Sequence, residues 1–496
     1  MDEEPASDVV RRERFSGGPA RGFLSSMSED ERIFEADLAV DRAHVVMLAE
    51  QGIVSDDEAG EILAALEDVE EAGYDALPDG EDVHAAIETA VIERVGEIGG
   101  KMHTARSRND EVATCIRYRL REDLVEAMRS SLALREALVE VAQEHVETTM
   151  PGYTHLQPAQ PTTVAHYLLS YEQAVARDTE RLVDAYDRVD RCPLGAAAFA
   201  GTPFDVDRER TAELLGFEAV HASGGSSDSS DDVLENSMDA VSSRDFLLET
   251  VGALSNLAIT LSGFAEDLIG FSNRGYLELS DDYASTSSIM PQKKNPDTLE
   301  LVRATAGDAS AGLNGLSTTL KGLPRAYNRD LQRATPHAWE TVDAVSEATE
   351  VTAGAIATAE WDEASLEAAA AEGFSTATGV ADALAMQGLP FRTAHELVAL
   401  ASETGSDYAA LEAASEELLG EPLDAHVPRE AIETALDPAE SVASRDSRGG
   451  PAPAAVRERI GTARTAIAAD REAVDDLERT VADANAALAE EVRAYE

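Results

Sequence analysis

The amino-acid sequence predicts an all-α fold in which a central bundle of long helices lies between smaller N-terminal and C-terminal helical domains. Only 5% of the 496 residues are aromatic, although 44% are hydrophobic, and this composition suits close helix packing better than sheet packing. Apolar residues recur every three or four positions across residues 239–273, which predicts helix there, and one continuous helix would be about 50 Å long. A chain of this length also exceeds what one hydrophobic core usually supports, so several domains are expected.

The spacing of apolar residues, Pro and Gly indicates where the domains and helices lie. Residues 1–30 are polar and are expected to be irregular, and the run SGGSSDSSDD at 223–232 is expected to be a flexible surface insertion. After Trp361 the apolar pattern becomes shorter and richer in Ala. The predicted domains are residues 1–108, 109–361 and 362–496. The other predicted helices span residues 33–51, 56–72, 109–146, 299–316 and 337–360.

The chain is strongly acidic, with 96 Asp and Glu residues against 40 Lys and Arg residues and a formal net charge of -56. Such a charge repels nucleic-acid phosphates and anionic lipids, so neither nucleic acid nor membrane is expected as a partner. Acidic residues spread through every segment are typical of proteins adapted to concentrated intracellular salt, where screening weakens the repulsion between them.

The sequence predicts neither a metal site nor a membrane segment. The two cysteines, Cys115 and Cys192, lie outside any spacing typical of zinc ligands. The N-terminal segment lacks the apolar core of a signal peptide, and no uninterrupted apolar segment is long enough to span a membrane. A cytoplasmic protein is therefore expected.

A hydroxyl-rich and basic segment, STSSIMPQKKNP at residues 285–296, separates two predicted helices. It holds two of the four lysines of the chain, Lys293 and Lys294. Asp297 is expected to be the N-cap of the following helix with Glu300 as its capping-box partner, so the positive end of that helix points towards the segment. Together these groups suit an anion whose charge grows during a reaction. The alternative, a solvated connector, explains the paired lysines less well.

This segment resembles the signature loop of the fumarase and aspartase superfamily, whose members release fumarate by elimination. Six further segments, in the same order along the chain, resemble the argininosuccinate lyase family within that superfamily, and the resemblance covers nearly the whole chain. These segments are HTARSRNDEVAT (103–114), PGYTHLQPAQPT (151–162), CPLG with AGT (192–195 and 200–202), NSMDAV (236–241), AYNRDLQ (326–332) and SVASRD (441–446).

The resemblance implies that the chain splits argininosuccinate into arginine and fumarate, a step of arginine biosynthesis, with no cofactor and no metal. Ser287 would be the general base that removes a proton from the succinyl carbon next to the nitrogen-bearing carbon, once its surroundings favour its ionised form. Lys293 and Asn295 would hold the carboxylate as negative charge grows on it. His155, paired with Glu300, would assist proton transfer to the departing nitrogen. A purely structural histidine is the alternative for His155.

The resemblance also implies residues that bind the substrate. Thr154 would contact the succinyl part, and Tyr153 and Met290 are assigned to packing. An anionic group would contact Ser107, Arg108 and Asn109. The arginine end would contact Ser26, Tyr327 and Gln332. The alternative for residues 107–109 is a helix start whose arginines pair with neighbouring acids.

These segments lie far apart in the sequence, and a bundle of long helices would place them at different heights along its axis. Such helices also expose apolar stripes that one chain covers only in part. The resemblance implies a homotetramer in which three subunits build each active site, and this answers both difficulties.

Four positions depart from the usual pattern of the family. They are Ala105 and Thr286 in place of glycine, Glu111 in place of glutamine, and Thr335 in place of lysine. The β-branched Thr286 is expected to restrict the backbone beside the proposed base and to slow loop closure. Arg329 and Arg333 are the candidates to replace the missing lysine at the arginine carboxylate.

Two alternatives stay open on the sequence alone. Another lyase of the superfamily, of the adenylosuccinate lyase, aspartase or fumarase type, would share the loop, although residues 107–110 and 152–155 disfavour it. A non-catalytic homologue that resembles the crystallins would share the fold, although such a protein has no need of the catalytic candidates named above.

Overall fold

The computed structural model describes residues 20–217 and 232–495, and these residues are mostly helical. The expectation of an irregular arm is wrong for residues 20–24 and 27–30, which form short helices, and residues 1–19 lie outside the described part. The insertion expected at 223–232 also lies outside the described residues, except for Asp232.

The described residues contain nineteen α-helices and six short strands. The N-terminal helices are α1 (Ala20–Leu24), α2 (Met27–Asp30), α3 (Phe34–Glu50), α4 (Asp56–Ala72) and α5 (Val83–Val95). The central helices are α6 (Arg108–Glu144), α7 (Val164–Val189), α8 (Arg208–Leu214), α9 (Ser237–Ser242), α10 (Asp245–Arg274), α11 (Asp297–Leu320) and α12 (Thr335–Ala357). The C-terminal helices are α13 (Glu363–Ala370), α14 (Ala377–Met386), α15 (Phe391–Ser402), α16 (Tyr408–Leu419), α17 (Arg429–Leu436), α18 (Pro438–Ala443) and α19 (Pro453–Arg493). The strands are β1 (Thr149–Thr154), β2 (Gln157–Thr163), β3 (Leu277–Glu278), β4 (Ser285–Thr286), β5 (Lys294–Asn295) and β6 (Glu360–Trp361).

The strands form three antiparallel two-stranded ladders, in which β1 pairs with β2, β3 with β6, and β4 with β5. The expected all-α class is therefore confirmed, because the ladders only connect helices and none of them builds a core.

Five long helices, α6, α7, α10, α11 and α12, pack side by side as the central bundle. Neighbouring contacts fix their directions. Arg117 near the start of α6 donates to the carbonyl oxygen of Arg188 at the end of α7, at 2.7 Å. Ser255 and Ser262 on α10 contact the carbonyl oxygens of Ala309 and Arg303 on α11, so these two helices are antiparallel.

The bundle therefore has two distinct ends. At the Ser107 end, α6, α10 and α12 begin, whereas at the His145 end, α7 and α11 begin. Because α6 has 37 residues and a helix rises 1.5 Å per residue, the two ends are about 55 Å apart.

Three hydrophobic clusters lie in the described part of the chain, namely a large core, a smaller core and a minor cluster of Ala196, Ala240 and Val241. The larger core runs through the N-terminal helices, the bundle and α19, and α19 packs along α6. The smaller core is built by residues of α14 to α17, from Val380 to Ile432. The division at residues 108 and 361 stays a prediction.

The prediction of a single helix at 239–273 is wrong, because this stretch forms two helices, α9 and α10. The chain leaves helical geometry at Ser243, whose φ and ψ are -67° and 132°, so α9 ends there and α10 starts two residues later. The apolar spacing continues across this break because residues on both helices are buried. By length and composition α10 could also cross a membrane, contrary to the sequence-based expectation, but 56% of its most apolar window is buried inside the fold.

The start of α6 is fixed by side chains of the turn that precedes it. Ser107 is the N-cap, and its backbone N–H donates to the Asp110 carboxylate at 2.9 Å. The other oxygen of Asp110 accepts from the N–H groups of Gly195 and Ala197 at 3.0 and 2.7 Å. Asp110 therefore joins two of the sequence segments that resemble the family. Ala105, in the same turn, has a φ of +63°, the left-handed region in which glycine is favoured.

Replacing Ala105 by Gly is expected to raise the free energy of unfolding by about 0.5 to 1 kcal/mol, because glycine adopts this φ without a Cβ clash. Denaturant unfolding at high salt measures the change. Ala468→Gly, at an exposed position inside α19, is the matched control and is expected to cost about 1 kcal/mol. If both variants lost the same free energy of unfolding, the backbone at Ala105 would not be strained.

Candidate active site

The residues Thr154 and His155 lie at the tip of the β1–β2 hairpin, at the His145 end of the bundle. The two turn residues, His155 and Leu156, have φ of +56° and +59°, as a two-residue type I′ turn requires. Leucine rarely adopts this conformation, and such backbone outliers cluster at functional sites. Thr154 and His155 are both exposed, while the hydroxyl of Tyr153 lies 3.1 Å from that of Tyr276, which confirms packing for Tyr153.

The basic segment forms a second hairpin, in which β4 pairs with β5. Ser285 is opposite Asn295 and Thr286 is opposite Lys294, and the Ser287 N–H donates to the Lys293 carbonyl oxygen at 3.1 Å. Thr286 is thus extended, a conformation that suits a β-branched residue. Its effect on loop closure stays a prediction.

The hydroxyl of Ser287 accepts hydrogen bonds from two backbone N–H groups at the hairpin tip. Met290 N lies 3.1 Å and Ile289 N 3.4 Å from Ser287 Oγ. Donors directed at an oxygen favour its charged form. Met290 itself is 41% exposed, so within one chain this side chain does not have the packing role assigned to it from the sequence.

The two adjacent lysines have different environments. Lys294 Nζ lies 2.8 Å from Asp281 and 3.2 Å from Glu278, so it anchors the hairpin to the residues after α10. Lys293 is exposed, and no ion pair joins it to any of the described residues.

The expected capping box at the start of α11 is wrong. The N-cap is Pro296, without a side-chain cap, and Asp297 is already the first helical residue. Its carboxylate accepts a hydrogen bond from the Ser285 hydroxyl instead, while Glu300 is exposed. The N-terminus of α11 still borders the loop, but Asp297 opposes part of its positive potential.

A cavity of about 750 Å³ lies at the opposite, Ser107 end of the bundle. The predicted binding residues that line it are Ser26, Arg108, Asn109, Tyr327 and Gln332. The Ser26 hydroxyl donates to the Asp30 carboxylate at 2.7 Å, and burial raises the pKa of Asp30 to about 6.

The segment at 107–109 has features of both an anion-binding site and a helix start whose arginine pairs with acids. Arg108 faces the cavity but also pairs with Asp82 at 3.4 Å and Glu88 at 3.8 Å, as the helix-start alternative requires. Asn109 donates to a backbone carbonyl oxygen at 3.1 Å, and the Ser107 hydroxyl is engaged as the N-cap of α6.

The two candidates for the missing lysine differ in their contacts. Arg329 donates to the carboxylate of Glu81 and to the carbonyl oxygen of Leu24, so its guanidinium is engaged. Arg333 lines the cavity but is exposed. Thr335, at the start of α12, also lines the cavity.

The predicted site residues therefore form three groups that do not meet within the described part of one chain. The cavity group lies at the Ser107 end, while the two hairpins lie at the His145 end, about 55 Å away along α6. Among the described residues no hydrogen bond or ion pair joins one group to another, and His155 is not paired with Glu300.

A buried cluster of charged side chains behind the cavity was not foreseen from the sequence. It consists of Asp37, Asp41, His84, Arg106 and Glu111. Arg106 pairs with Asp41 and, at 3.0 Å, with Glu111, and His84 Nδ1 lies 2.8 Å from Asp37. Burial by itself would lower the pKa of His84. The negative charges of Asp37 and Glu111 outweigh this effect and raise the pKa of His84 to about 10.

This cluster has one more carboxylate than cation, because three acids face one arginine and one histidine. Burial raises the pKa of Glu111 well above its usual value. Asp37, Asp41 and Glu111 lie close enough together to hold a metal ion, but each of them is already paired with Arg106 or His84. The sequence feature that could have revealed this cluster is Glu111, a carboxylic acid at a position where the family pattern has the amide of glutamine.

Comparisons with known proteins agree with this architecture. Residues 21–310 match the family model described as lyase, and residues 374–443 match the model described as argininosuccinate lyase C-terminal. Argininosuccinate lyase of Natronomonas pharaonis is 67% identical and covers 97% of this chain and 96% of its own length. Argininosuccinate lyase of Halobacterium salinarum is 65% identical and covers 98% of both.

Solved structures show the same fold. The crystal structure of EDDS lyase in complex with formate has a TM-score of 0.84 and 32% identity, and the match covers 96% of each chain. The class II fumarase of Schistosoma mansoni has a TM-score of 0.70 over 87% of this chain and 96% of its own. At 16% identity this second likeness shows the fold alone.

The long-helix bundle with its serine-containing hairpin is that of a lyase of the fumarase and aspartase superfamily. The enzyme is a carbon–nitrogen lyase. Within the superfamily, the chain belongs to the argininosuccinate lyase family.

Replacing Glu111 by Gln is expected to flatten the dependence of stability on pH. The folded-state pKa of Glu111 is raised, so the fold binds a proton that the unfolded chain has lost, and stability falls as pH rises above about 4.5. Gln cannot titrate, which removes a slope of up to about 1.4 kcal/mol per pH unit. Denaturant unfolding between about pH 5 and about pH 9 measures the difference.

Glu126→Gln is the matched control, since Glu126 is exposed on the same helix. It is expected to leave the pH profile unchanged. Parallel profiles for the wild type and Glu111→Gln would show that Glu111 titrates as it does in water.

Proposed function

We propose that this enzyme cleaves argininosuccinate into arginine and fumarate, with Ser287 as the general base. The serine oxygen takes a proton from the succinyl carbon beside the nitrogen-bearing carbon. The electron pair left behind spreads into the adjacent carboxylate, which then carries two negative charges. When this intermediate collapses, the carbon–nitrogen bond breaks, the guanidinium nitrogen gains a proton and fumarate forms.

The single observation that carries the assignment of Ser287 is the pair of backbone N–H groups directed at its Oγ. These two donors, with no acceptor recorded for the hydroxyl among the described residues, favour the ionised serine, and a neutral hydroxyl would be too weak a base for a carbon acid. Lys293, exposed at the same hairpin tip, supplies positive charge that is not already neutralised by a described acid. Asn295, at the base of the hairpin, adds an amide donor for the reacting carboxylate.

The position of His155 supports a role in the same reaction. Its exposed ring stands at the tip of a strained turn, next to Thr154, where it can enter a site formed with another surface. We assign proton transfer to the departing nitrogen to His155 with Glu300, and binding of the succinyl part to Thr154. Because Glu300 is exposed on α11, its partner is expected to come from a different subunit.

The cavity at the Ser107 end fits the remainder of the substrate. It offers hydroxyl and amide groups from Ser26, Asn109, Tyr327 and Gln332 and a cation from Arg108. We propose that Ser26, Tyr327 and Gln332 bind the arginine end of the substrate. Arg108 and Asn109 bind an anionic group, and Ser107 stabilises the turn that presents Arg108 and Asn109.

We further propose a homotetramer in which each active site combines the cavity of one subunit with hairpins of others. The distance of about 55 Å between the two ends of the bundle supports this, since one chain cannot bring them together. Exposed apolar residues on the bundle helices, such as Ile259 (61% exposed) and Leu301 (72% exposed), also support association of the bundles.

We also propose a cellular setting for the enzyme. A cytoplasmic enzyme of arginine biosynthesis that works in concentrated salt accords with the net charge of -56. The reaction as written uses only side chains and backbone amides, so we propose that it needs neither a cofactor nor a metal.

Ser287→Ala is expected to lower kcat for argininosuccinate cleavage by roughly a thousandfold or more, because the base is lost. The appearance of fumarate, followed by its absorbance in molar salt, measures the rate. The wild type is expected to cleave argininosuccinate but not adenylosuccinate or aspartate.

The neighbouring Ser288→Ala is the matched control, since this serine is exposed and has no assigned role. It is expected to retain most of the activity. Equal rates for Ser287→Ala and the wild type would overturn the assignment of Ser287 as the base. Cleavage of adenylosuccinate by the wild type would overturn the assignment of the substrate.

Two inactive variants are expected to regain activity when their subunits are mixed. Ser287→Ala damages the hairpin, and Asn109→Ala damages the cavity at the other end. If each site takes these ends from different subunits, random 1:1 mixing restores about a quarter of the sites. The rate after dissociation and reassembly measures this, with a tag on each variant to confirm that mixed oligomers form. Mixed oligomers without recovered activity would contradict shared sites.

A further inference from the structure

Arg244 lies where the cavity at the Ser107 end meets the start of α10. It is only 3% exposed, yet it lines the cavity together with Asn109 and Tyr327. The break between α9 and α10 places it there, since Arg244 is the residue immediately before the first turn of α10. A cation at this point faces the same space as the residues assigned to the substrate.

The guanidinium of Arg244 is poorly satisfied by the protein. Its one recorded side-chain hydrogen bond runs from Nη1 to the carbonyl oxygen of Ser243 at 2.7 Å. Its Nε has no hydrogen-bond partner, and within residues 20–217 and 232–495 no carboxylate lies at ion-pair distance from it.

Other buried arginines of the bundle have more partners than Arg244, although the Nε atoms of Arg117 and Arg121 also lack a hydrogen-bond partner. Arg121 pairs with Asp190 and donates to two carbonyl oxygens, and Arg135 pairs with Glu172 and Asp470. Arg117 has no acid partner, but it donates to two carbonyl oxygens and stacks on the Phe246 ring. Arg244 therefore differs from them in two respects: its one recorded hydrogen-bond acceptor is the adjacent Ser243 carbonyl oxygen, and it is the one of these four arginines that lines the cavity.

A buried and unpaired cation costs stability, because its hydration is lost without compensation. Burial lowers the pKa of Arg244 to about 10, so the group stays charged at neutral pH. The other arginines at the cavity are either paired with acids or exposed. Arg108 and Arg329 are held by acids, and Arg333 is exposed. A ligand that brings its own negative charge would complete the hydrogen bonding of Arg244.

We propose that Arg244 binds a carboxylate of the substrate in this cavity. This inference rests on the proposed function, since it takes the cavity as the place where part of argininosuccinate binds. The planar guanidinium can hold a carboxylate by two parallel hydrogen bonds. Because Arg244 lies beside Tyr327, the carboxylate of the arginine part is the expected partner, and the succinyl carboxylates are the other source.

Equilibrium binding to the intact protein in high salt tests the proposal without requiring turnover. The probes are L-arginine, agmatine, which is arginine without its carboxylate, and fumarate. The wild type is expected to bind L-arginine more tightly than agmatine, and Arg244→Gln is expected to bind L-arginine roughly tenfold or more weakly and to lose the preference. Weaker fumarate binding with unchanged arginine binding would place the contact at the succinyl part instead.

The steady-state rates of the same preparations separate the two proposals. Arg244→Gln is expected to raise KM for argininosuccinate far more than it lowers kcat, and Arg244→Lys, which keeps the charge, is expected to recover part of the loss. A wild type that does not cleave argininosuccinate would refute the proposed function whatever the binding data show. Unchanged KM and unchanged affinity for all three probes, with an active wild type, would refute the role of Arg244.

Thermal unfolding separates a binding role from a structural one. Because the guanidinium of Arg244 is not satisfied by the fold, Arg244→Gln is expected to unfold at the same temperature as the wild type or higher. Arg117→Gln, the matched buried control, is expected to unfold at a lower temperature. A comparable fall in both variants would identify Arg244 as a structural residue and overturn the proposal.

Discussion

The packing of α6 along its whole length is the constraint on which the rest of the molecule depends. This helix is enclosed by α3, α7, α12 and α19, and buried charged pairs such as Arg121 with Asp190 and Arg135 with Glu172 fix it at intervals. Its first turn is held by Ser107 and Asp110, and its last turn leads directly to the hairpin of His155. The length of one rigid helix thus sets the distance between the two chemical ends of the chain.

Much of the fold could be predicted from the sequence because the periodicity of long helices is strong. The predicted helix at 56–72 coincides with α4, and that at 109–146 differs from α6 by one or two residues at each end. The break at Ser243 escaped detection, since apolar spacing reports which face is buried and not whether the backbone is continuous. The β1–β2 hairpin was missed as well, because Pro151 and Gly152 indicate only that the helix ends.

The candidate site could be predicted as a set of residues but not as an arrangement. The motif residues around Ser287, His155 and Arg108 carry distinctive chemistry, so their types alone drew attention to them. Their partners were less accessible to sequence reasoning. Asp297 resembles a helix cap in the sequence, yet its carboxylate accepts a hydrogen bond from the Ser285 hydroxyl. This contact forms only because the β4–β5 ladder brings the two residues together. Arg244 has no distinctive neighbours in the sequence, and the role proposed for it rests on its burial at the cavity without an ion-pair partner among the described residues.

The separation of the two ends has a consequence for damage to a single chain. In the proposed homotetramer each protomer contributes its cavity to one catalytic centre and its hairpins to others, so one faulty copy within an assembly would impair several centres at once. In a population that contains faulty and intact chains, activity would then fall faster than the proportion of intact chains. The same geometry lets two chains with faults at opposite ends compensate for each other.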